Sequence, residues 1–137
     1  MIHSMDGICR LMVMYSEPLA HMMYAAADFV LVPSLFEPCG LTQMIAMRYG
    51  ALPIVRRTGG LADTIIDADE SNEQGNGFVF DGADEDSCSS AIDRAMHLFR
   101  NEPERFSTIS RKNMNSDMSW RQSADSYQQL YRSAAVQ

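Results

Sequence analysis

The sequence predicts an α/β fold: a Rossmann-like parallel sheet flanked by helices. Short apolar runs at residues 29–32 (FVLV), 52–55 (LPIV) and 76–80 (NGFVF) alternate with segments of helical periodicity. Pro33 stops the first run at once, which is typical of a short strand buried on both faces. Right-handed crossovers between such strands place helices on both sides of the sheet. The 137 residues are expected to form one domain.

The first part of the chain predicts a strand and a helix. Residues 8–14, ICRLMVM, favour a strand, although methionine and leucine leave a helix as the alternative. Residues 16–28 carry apolar side chains at helical spacing, with Ser16 as N-cap and Pro18 in the first turn. A doubly wound domain usually opens with a strand and a glycine-rich turn. Neither precedes residue 8, so we expect a fragment of a larger protein.

The middle of the chain alternates helices and loops. A helix is predicted from about residue 40 to 49, with Gly50 as its C-terminal cap. A glycine-rich loop, RRTGG, follows the next strand and leads into a short helix at residues 61–67. The acidic segment 67–75 has no periodicity and predicts a surface loop.

The C-terminal part, from about residue 85 to 133, is predicted to be helical. One apolar stripe precedes a turn at residues 101–104, NEPE, which starts the next helix. The last helix begins with a capping box from Ser119 to Gln122. The predicted stripes comprise Cys88, Ala91, Ile92, Ala95, Met96 and Phe99 in the first helix, and Trp120, Ala124, Tyr127 and Tyr131 in the last.

Composition excludes several classes of function. With 11 basic and 18 acidic side chains the net charge is −7, which argues against nucleic acids and anionic membranes as partners. No apolar run reaches the ~20 residues of a membrane span. Three scattered cysteines indicate a reducing compartment. The three histidines are far apart in sequence, so we expect no metal site and no cofactor.

The loops that follow the predicted strands are expected to share one edge of the sheet, where ligands bind in open α/β folds. Gly40 allows the backbone close to a ligand, and the free N–H groups at the following helix start favour a phosphate. Glu37, just ahead of them, could accept hydrogen bonds from sugar hydroxyls. The residues expected at this edge are Tyr15, Glu37, Cys39, Gly40, Leu41, Thr42, Arg57, Thr58, Gly59 and Gly60.

Plainer interpretations stay open for these residues. Glu37 could be a solvated acid that favours a helix N-terminus, and Gly59 and Gly60 could be turn residues. Tyr15 could belong to the core or its rim, and Cys39 could be a small buried apolar residue.

A resemblance to a known family gives more specific expectations than the spacing of residues does. The ungapped block ADFVLVPSLFEPCGLTQMIAMRYGALPIVRRTGGLADTIID, residues 27–67, resembles the C-terminal nucleotide-binding domain of bacterial glycogen synthases and plant starch synthases. A weaker match, NGFVFDGAD, extends it to Asp84. The stretches YSEPLAHMMYAAADF and GFVFDGAD look most like plant and algal starch synthases of the third and fourth classes.

The resemblance implies the C-terminal part of the C-terminal domain of a GT-B glycosyltransferase. Such enzymes transfer glucose from ADP-glucose to the non-reducing end of an α-1,4-glucan with retention and need no metal. The resemblance makes Glu37 the acid that contacts the donor glucose. Cys39 would line the pocket, Leu41 and Thr42 would meet the diphosphate, and Tyr15 would stack on adenine. The loop of residues 57–61 would border the donor.

Retaining transferases of this kind are thought to use the leaving diphosphate as the base, so Glu37 is expected to position and stabilise charge rather than to remove a proton. One departure is Ile45, where many retaining transferases carry a second glutamate. The expected partners are the donor, the glucan and a missing N-terminal domain of the same enzyme. The isolated chain is expected to be inactive. A plastid stroma is expected for a plant or algal source, and the cytosol for a bacterial one.

The alternative is a non-catalytic truncated module that binds nucleotide or glucan, or docks to other starch-synthesis enzymes. An NAD-dependent oxidoreductase is excluded because no G-x-G-x-x-G motif lies between a strand and a helix.

Overall fold

The computed structural model describes residues 9–135. Three parallel strands form one sheet in the order β1–β2–β3, where β1 is Phe29–Val32, β2 is Leu52–Arg56 and β3 is Phe78–Phe80. The register pairs Val30 with Pro53 and Val55 with Val79. The predicted parallel α/β fold is therefore confirmed, and each predicted apolar run contains a strand.

Residues 9–135 contain six helices. They are α1 (Glu17–Ala26), α2 (Thr42–Tyr49), α3 (Gly59–Thr64), α4 (Glu85–Asn101), α5 (Pro103–Asn115) and α6 (Trp120–Ala134). Of these, α2, α3, α4 and α5 pack on the sheet. Among residues 9–135, none of the six helices is long and apolar enough to cross a membrane.

Alternation along the strands creates two cores. One face carries Leu52, Ile54 and Phe78, which pack under α4 and α5. The other face carries Val55 and Val79, which pack with side chains of α2 and α3. Period-two alternation sends successive side chains to opposite faces, so a strand covered on both sides reads as a continuous apolar run. Helices on both faces confirm the predicted layering.

Helix ends follow the predicted signals. The Ser16 hydroxyl accepts a hydrogen bond from the Leu19 amide at the start of α1, and Gly50 ends α2 with φ +90°. The Ser119 hydroxyl caps α6 through the amide of Arg121, whereas the predicted box involves Gln122. Short polar side chains at N-caps and a left-handed glycine at the C-cap satisfy backbone groups that a helix leaves free.

Two predictions about the first part of the chain are wrong. Residues 9–14 of the predicted first strand are irregular and exposed, while Ile8 lies outside the described residues. A strand needs a neighbour for its backbone hydrogen bonds, and within residues 9–135 no strand pairs with this segment. β1 is not fully buried, since Leu31 is 44% exposed at the sheet edge. An apolar sequence pattern shows that a segment could be buried. It does not show whether another strand or helix is there to bury it.

Two amphipathic helices have no buried residue among the described part of the chain. In α1 the predicted stripe, including Met22 and Met23, is mostly exposed. In α6 the predicted stripe with Trp120 and Tyr131 is likewise exposed. The stripe of α4 is buried as predicted at Ala91 and Ala95. Periodicity therefore predicted α1, α4 and α6 correctly, but not whether their apolar faces are covered. The short helix predicted at residues 61–67 instead spans Gly59–Thr64, so Gly59 and Gly60 belong to the helix and not to the predicted loop.

Candidate functional site

The candidate site lies where β1 and β2 end. The loop from residue 33 to 41 follows β1 and leads into α2, and residues 57–58 follow β2 and lead into α3. We call these two segments, together with the first turns of α2 and α3, the strand-end edge. Because the carboxyl ends of parallel strands meet at one edge, the two loops lie side by side.

Gly59 and Gly60 bring the two loops into backbone contact. The Gly60 amide donates to the carbonyl of Glu37 at 3.0 Å and to that of Pro38 at 3.2 Å. A Cβ atom on Gly60 would lie 1.8 Å from the Cys39 carbonyl oxygen, and one on Gly59 would lie 2.0 Å from the Glu37 oxygen. Gly59 also has φ +44°. These glycines are therefore required by close approach, and the interpretation as plain turn residues is wrong.

Gln43 and Thr64 form a second connection between the loops. The buried Gln43 side chain donates to the Gly40 carbonyl and to the Thr64 hydroxyl, each at 3.1 Å. Thr64 in turn donates to the Gly60 carbonyl at 2.6 Å. This chain of hydrogen bonds runs from the start of α2 to the start of α3. It fixes both helix starts relative to each other.

The sequence prediction missed the side chains of Gln43 and Thr64, and that of Arg56. The Arg56 guanidinium donates to the Leu35 carbonyl at 3.0 Å and so supports the loop that carries Glu37. The position of Gln43 could have identified it from the sequence. It lies in the first turn of α2 on the buried side, where a side-chain amide needs hydrogen-bond partners. The long-range partners, Thr64 of α3 for Gln43 and the Leu35 carbonyl for Arg56, lie 21 residues away in sequence, which spacing does not show.

Glu37 is half-buried at the centre of the edge. One oxygen of its carboxylate accepts a hydrogen bond from the Ser34 hydroxyl at 3.2 Å. This bond orients the carboxylate and leaves further acceptor positions on it, because an ionised carboxylate offers about four lone-pair sites. Around it Leu35, Phe36 and Leu41 are 74%, 79% and 66% exposed. An apolar rim around an oriented acid is typical of a binding surface.

The start of α2 presents backbone donors at the same edge. Gly40 is buried with φ +71°, a left-handed conformation that suits glycine, and Leu41 is the N-cap without a side-chain capping bond. Thr42 is the first residue of α2. The first turn therefore has amide donors that its own N-cap side chain does not occupy, and the helix dipole favours an anion there. Cys39 is exposed beside it, so its interpretation as a buried residue is wrong.

Three of the predicted site residues have structural surroundings that the sequence did not predict. They are Arg57, Thr58 and Tyr15. The Arg57 guanidinium donates to Asp81 at 2.8 Å and to Glu70 at 3.1 Å, and the bond to Asp81 helps to raise its pKa. Thr58 caps α3 through its backbone carbonyl, which accepts from Leu61 at 3.1 Å. Tyr15 precedes α1, is 92% exposed and, within residues 9–135, forms no hydrogen bond or ring contact.

The geometry thus brings together nine of the ten predicted site residues at the strand-end edge. They are Glu37, Cys39, Gly40, Leu41, Thr42, Arg57, Thr58, Gly59 and Gly60. Among them, Arg57 pairs its guanidinium with the carboxylates of Glu70 and Asp81. Tyr15 was placed there by a strand that the structure does not contain, so its position at the edge stays a prediction.

Comparison with known families agrees with this architecture. Residues 13–113 match the sequence profile of the family described as "Glycosyl transferases group 1". The chain belongs to this family. The match spans both loops of the strand-end edge and all three strands.

Relatives within this glycosyltransferase family confirm the resemblance seen in the sequence. The chain is 52% identical over 130 residues to a glycogen synthase of Protochlamydia amoebophila, covering 93% of this chain and 26% of that protein. It is 49% identical over 141 residues to starch synthase 3 of Arabidopsis thaliana, covering 97% of this chain and 14% of that protein. The chain thus spans about a quarter or less of the length of these relatives.

A solved structure supports the GT-B assignment of this glycosyltransferase segment. The catalytic domain of starch synthase IV from Arabidopsis thaliana, bound to ADP and acarbose, matches with a TM-score of 0.86 and 44% identity. The match covers 93% of this chain and 27% of that one. The three-stranded sheet and its helices are therefore part of a larger catalytic fold in that relative.

Proposed function

We propose that this chain is the C-terminal catalytic portion of an ADP-glucose glucosyltransferase that extends an α-1,4-glucan with retention of configuration. The observation that carries the proposal is the backbone contact between Gly60 and the loop of Glu37, which holds an oriented carboxylate beside an uncapped helix start. Relatives named glycogen synthase and starch synthase 3 support the substrates. The ADP in the starch synthase IV structure supports the nucleotide.

In this proposal the start of α2 binds the diphosphate of the donor, and Glu37 binds its glucose. The amides of the first turn of α2, at Leu41 and Thr42, hold the diphosphate, because a helix start attracts anions. The Glu37 carboxylate accepts hydrogen bonds from glucose hydroxyls and stabilises positive charge as the bond between glucose C1 and the diphosphate breaks. Cys39 and Gly40 line the path between them, and the segment from Arg57 to Gly60 closes its side. Tyr15 contributes a stacking surface for adenine.

Glu37 is a positioning and electrostatic group in this mechanism, not a general base. A two-carboxylate retaining mechanism needs a nucleophile and an acid about 5 Å apart, and the proposed mechanism does not use this route. The leaving diphosphate accepts the proton of the attacking glucan hydroxyl on the same face. The protein then acts by orientation and by charges present before the reaction begins.

The cellular setting belongs to the same proposal. A protein of this activity in a plant or alga would work in the plastid stroma, and a bacterial one in the cytosol. The glucan acceptor and a further domain of the same enzyme are its partners.

A chimera tests the function. This chain replaces the matched segment of the Protochlamydia amoebophila glycogen synthase, and glucose incorporation into glycogen is measured with ADP-glucose and, separately, with UDP-glucose. The expected result is elongation with ADP-glucose at a rate within about tenfold of the parent enzyme. A chimera that has the parent's circular dichroism and oligomeric state but transfers no glucose would contradict the catalytic proposal and favour the non-catalytic module.

A further inference from the structure

The side chain of Gln43 is buried beside the helix start that the proposed function assigns to the diphosphate. It lies in the first turn of α2 and is 0% exposed. Its Nε2 atom donates to the Gly40 carbonyl and to the Thr64 hydroxyl, each at 3.1 Å. A Cβ atom on Gly40 would lie 2.6 Å from Gln43 Oε1 and 2.9 Å from Nε2. The side-chain amide therefore packs directly against the residue that precedes the N-cap Leu41.

The two acceptors determine which way the Gln43 amide is turned. The Gly40 carbonyl oxygen can only accept a hydrogen bond. The Thr64 hydroxyl donates its single proton to the Gly60 carbonyl at 2.6 Å, so it acts toward Gln43 as an acceptor. The amide nitrogen must face both groups, and within residues 9–135 the amide oxygen, Oε1, has no hydrogen-bond partner. What this side chain contributes is thus the two bonds that it donates.

The bond to Gly40 determines where the next backbone amide points. Residues 9–135 contain no cis peptide bond, and in a planar trans peptide the carbonyl oxygen and the following N–H point in opposite directions. Because Gln43 holds the Gly40 oxygen on the buried side, the Leu41 N–H is turned away from that side. Within residues 9–135 the Leu41 amide donates to no backbone or side-chain acceptor. It is left as a donor for an anion.

Gly40 does not hold this peptide orientation by itself. Its φ is +71°, and a glycine has a wider choice of backbone conformations than any other residue. The peptide between Gly40 and Leu41 can therefore rotate into the opposite orientation. The Gly40 carbonyl oxygen, which carries a partial negative charge, would then face a bound anion in place of the Leu41 N–H. The hydrogen bond from Gln43 opposes this rotation.

We propose that Gln43 is a positioning residue for the diphosphate. Its buried amide holds the peptide between Gly40 and Leu41 in the orientation that presents the Leu41 N–H to the donor. The inference rests on the proposed function, because it concerns the same helix start. It adds a residue that contacts no ligand and acts through the backbone.

A ring of hydrogen bonds extends this control to the loop of Glu37. The Gly60 amide donates to the Glu37 carbonyl at 3.0 Å, and the Gly60 carbonyl accepts from Thr64. Thr64 accepts from Gln43, which also bonds Gly40 and so closes the ring. The ring encloses the short segment between the carboxylate proposed for glucose and the amides proposed for the diphosphate. Gln43 therefore also fixes the spacing between these two groups.

The substitution Gln43→Met in the glycogen synthase chimera tests the inference. Methionine has nearly the volume of glutamine but no donor, so it fills the space and releases the Gly40 carbonyl. The KM for ADP-glucose, and the Kd of ADP measured by calorimetry, are expected to rise at least about tenfold. The glycogen concentration for half-maximal rate should change less than about twofold, since this helix start is assigned to the donor. A Kd of ADP equal to that of the unsubstituted chimera would overturn the proposal.

Asn113→Leu is the matched control. Asn113 is 1% exposed in α5, and its side-chain amide donates to the Asn76 carbonyl at 2.7 Å. Within the described residues its Oδ1 atom is also unpaired. The substitution thus removes the same kind of buried donor away from the strand-end edge. Both variants are expected to lower the urea midpoint of unfolding, but only Gln43→Met should weaken ADP binding. Equal rises in the Kd of ADP would reduce the effect to lost stability and refute the positioning role.

Substitutions at Thr64 give a graded test. Thr64→Val removes one acceptor and leaves the bond from Gln43 to Gly40, so we expect the Kd of ADP to rise about threefold, less than in Gln43→Met. Thr64→Ser keeps the hydroxyl and should restore the Kd of the unsubstituted chimera. A rise in Thr64→Ser as large as in Gln43→Met would assign the effect to packing and contradict the proposal.

A crystal structure of the Gln43→Met chimera without donor gives a readout that does not depend on activity. We expect the peptide between Gly40 and Leu41 to be rotated or present in both orientations. A single, unchanged orientation would reject the inference. An unsubstituted chimera that transfers no glucose contradicts the proposed function instead. An active chimera in which Gln43→Met changes neither the peptide nor the Kd of ADP contradicts this inference alone.

Discussion

Two loops of this molecule, the loop of Glu37 and the acidic loop, are held in place by different interactions. At the strand-end edge, Glu37 and its loop are fixed by backbone contacts that depend on glycines having no Cβ atom. The acidic loop of residues 67–75 is fixed by charged side chains of α4 and α5. Asp67, 3% exposed, binds Arg94 at 2.9 Å, and Arg105 donates to the Ala68 carbonyl at 2.7 Å. The edge should therefore be sensitive to added volume, and the acidic loop to charge and pH.

The largest loss of stability is expected from a substitution at the strand-end edge. Gly60→Ala places a methyl group 1.8 Å from the Cys39 carbonyl oxygen, and a backbone atom cannot yield as a side chain can. We expect a loss of about 3 kcal/mol or more in the free energy of unfolding, measured by urea denaturation. Gly82→Ala is the control, because the atoms it meets belong to the side chains of Asp84 and Ser87. Equal losses in the two variants would contradict the role of close approach.

The next largest effect is expected in the acidic loop. Arg94→Met leaves the Asp67 carboxylate buried without its cation, although the amides of Asp69 and Val79 still donate to it. Since Arg94 is one-third exposed, we expect a loss of about 2–3 kcal/mol in urea unfolding, below the full cost of an unpaired buried charge. Arg100→Met on the same helix should cost less than about 0.5 kcal/mol. A loss below that for Arg94→Met would show that the ion pair does not hold the loop.

A smaller effect tests the polar connection across the edge. Thr64→Val removes the hydroxyl that joins Gln43 to the Gly60 carbonyl and leaves the buried amide of Gln43 without one partner. The expected loss is about 1–2 kcal/mol. Thr108→Val is the matched control, since that exposed threonine bonds only the carbonyl four residues earlier, Glu104. If both variants lose the same amount, the connection contributes nothing beyond an ordinary helix hydrogen bond.

The smallest effect is the pH dependence of the acidic loop. Burial alone would raise the pKa of Asp67, but hydrogen bonds from Arg94 and from two backbone amides outweigh it and hold the pKa below its usual value. A lowered folded-state pKa stabilises the protein above the unfolded value, and this stability is lost as the pH falls through the folded value. Asp67→Asn should therefore reduce the slope of stability against pH below about pH 4. A slope for Asp67→Asn equal to that of the unchanged chain would contradict the assignment.

The comparison also shows what the sequence can predict. Continuous apolar runs predicted all three strands, and caps such as Ser16 and Gly50 predicted helix ends, because these signals are local. Residues 9–14 had the same local signal and form no strand, because strand formation also needs a paired neighbour. Exposure of the α6 stripe was not predictable for the same reason: periodicity records an apolar face and not what covers it.

In the candidate site, too, the features that depend on local sequence were predictable and those that depend on distant residues were not. Glu37 and the start of α2 were predictable, because a loop, a glycine and a helix start follow one another in sequence. The need for Gly59 and Gly60 was not, since the atoms that exclude a Cβ belong to Glu37 and Cys39, more than twenty residues away. The ion pairs of Arg57 with Asp81 and Glu70 were likewise not predictable, because both carboxylates lie more than ten residues away in sequence. Long-range partners are what the sequence left undetermined.

The role of Glu37 is tested most directly by steady-state kinetics of the chimera with Glu37→Gln. Glu73→Gln, which changes an exposed side chain of the acidic loop, is the control. Glu37→Gln is expected to lower kcat with ADP-glucose by at least about 100-fold and to change KM by less than about tenfold, since the helix start still binds the diphosphate. Glu73→Gln should stay within twofold of the chimera. A Glu37→Gln chimera that retains more than half of its kcat would contradict the account.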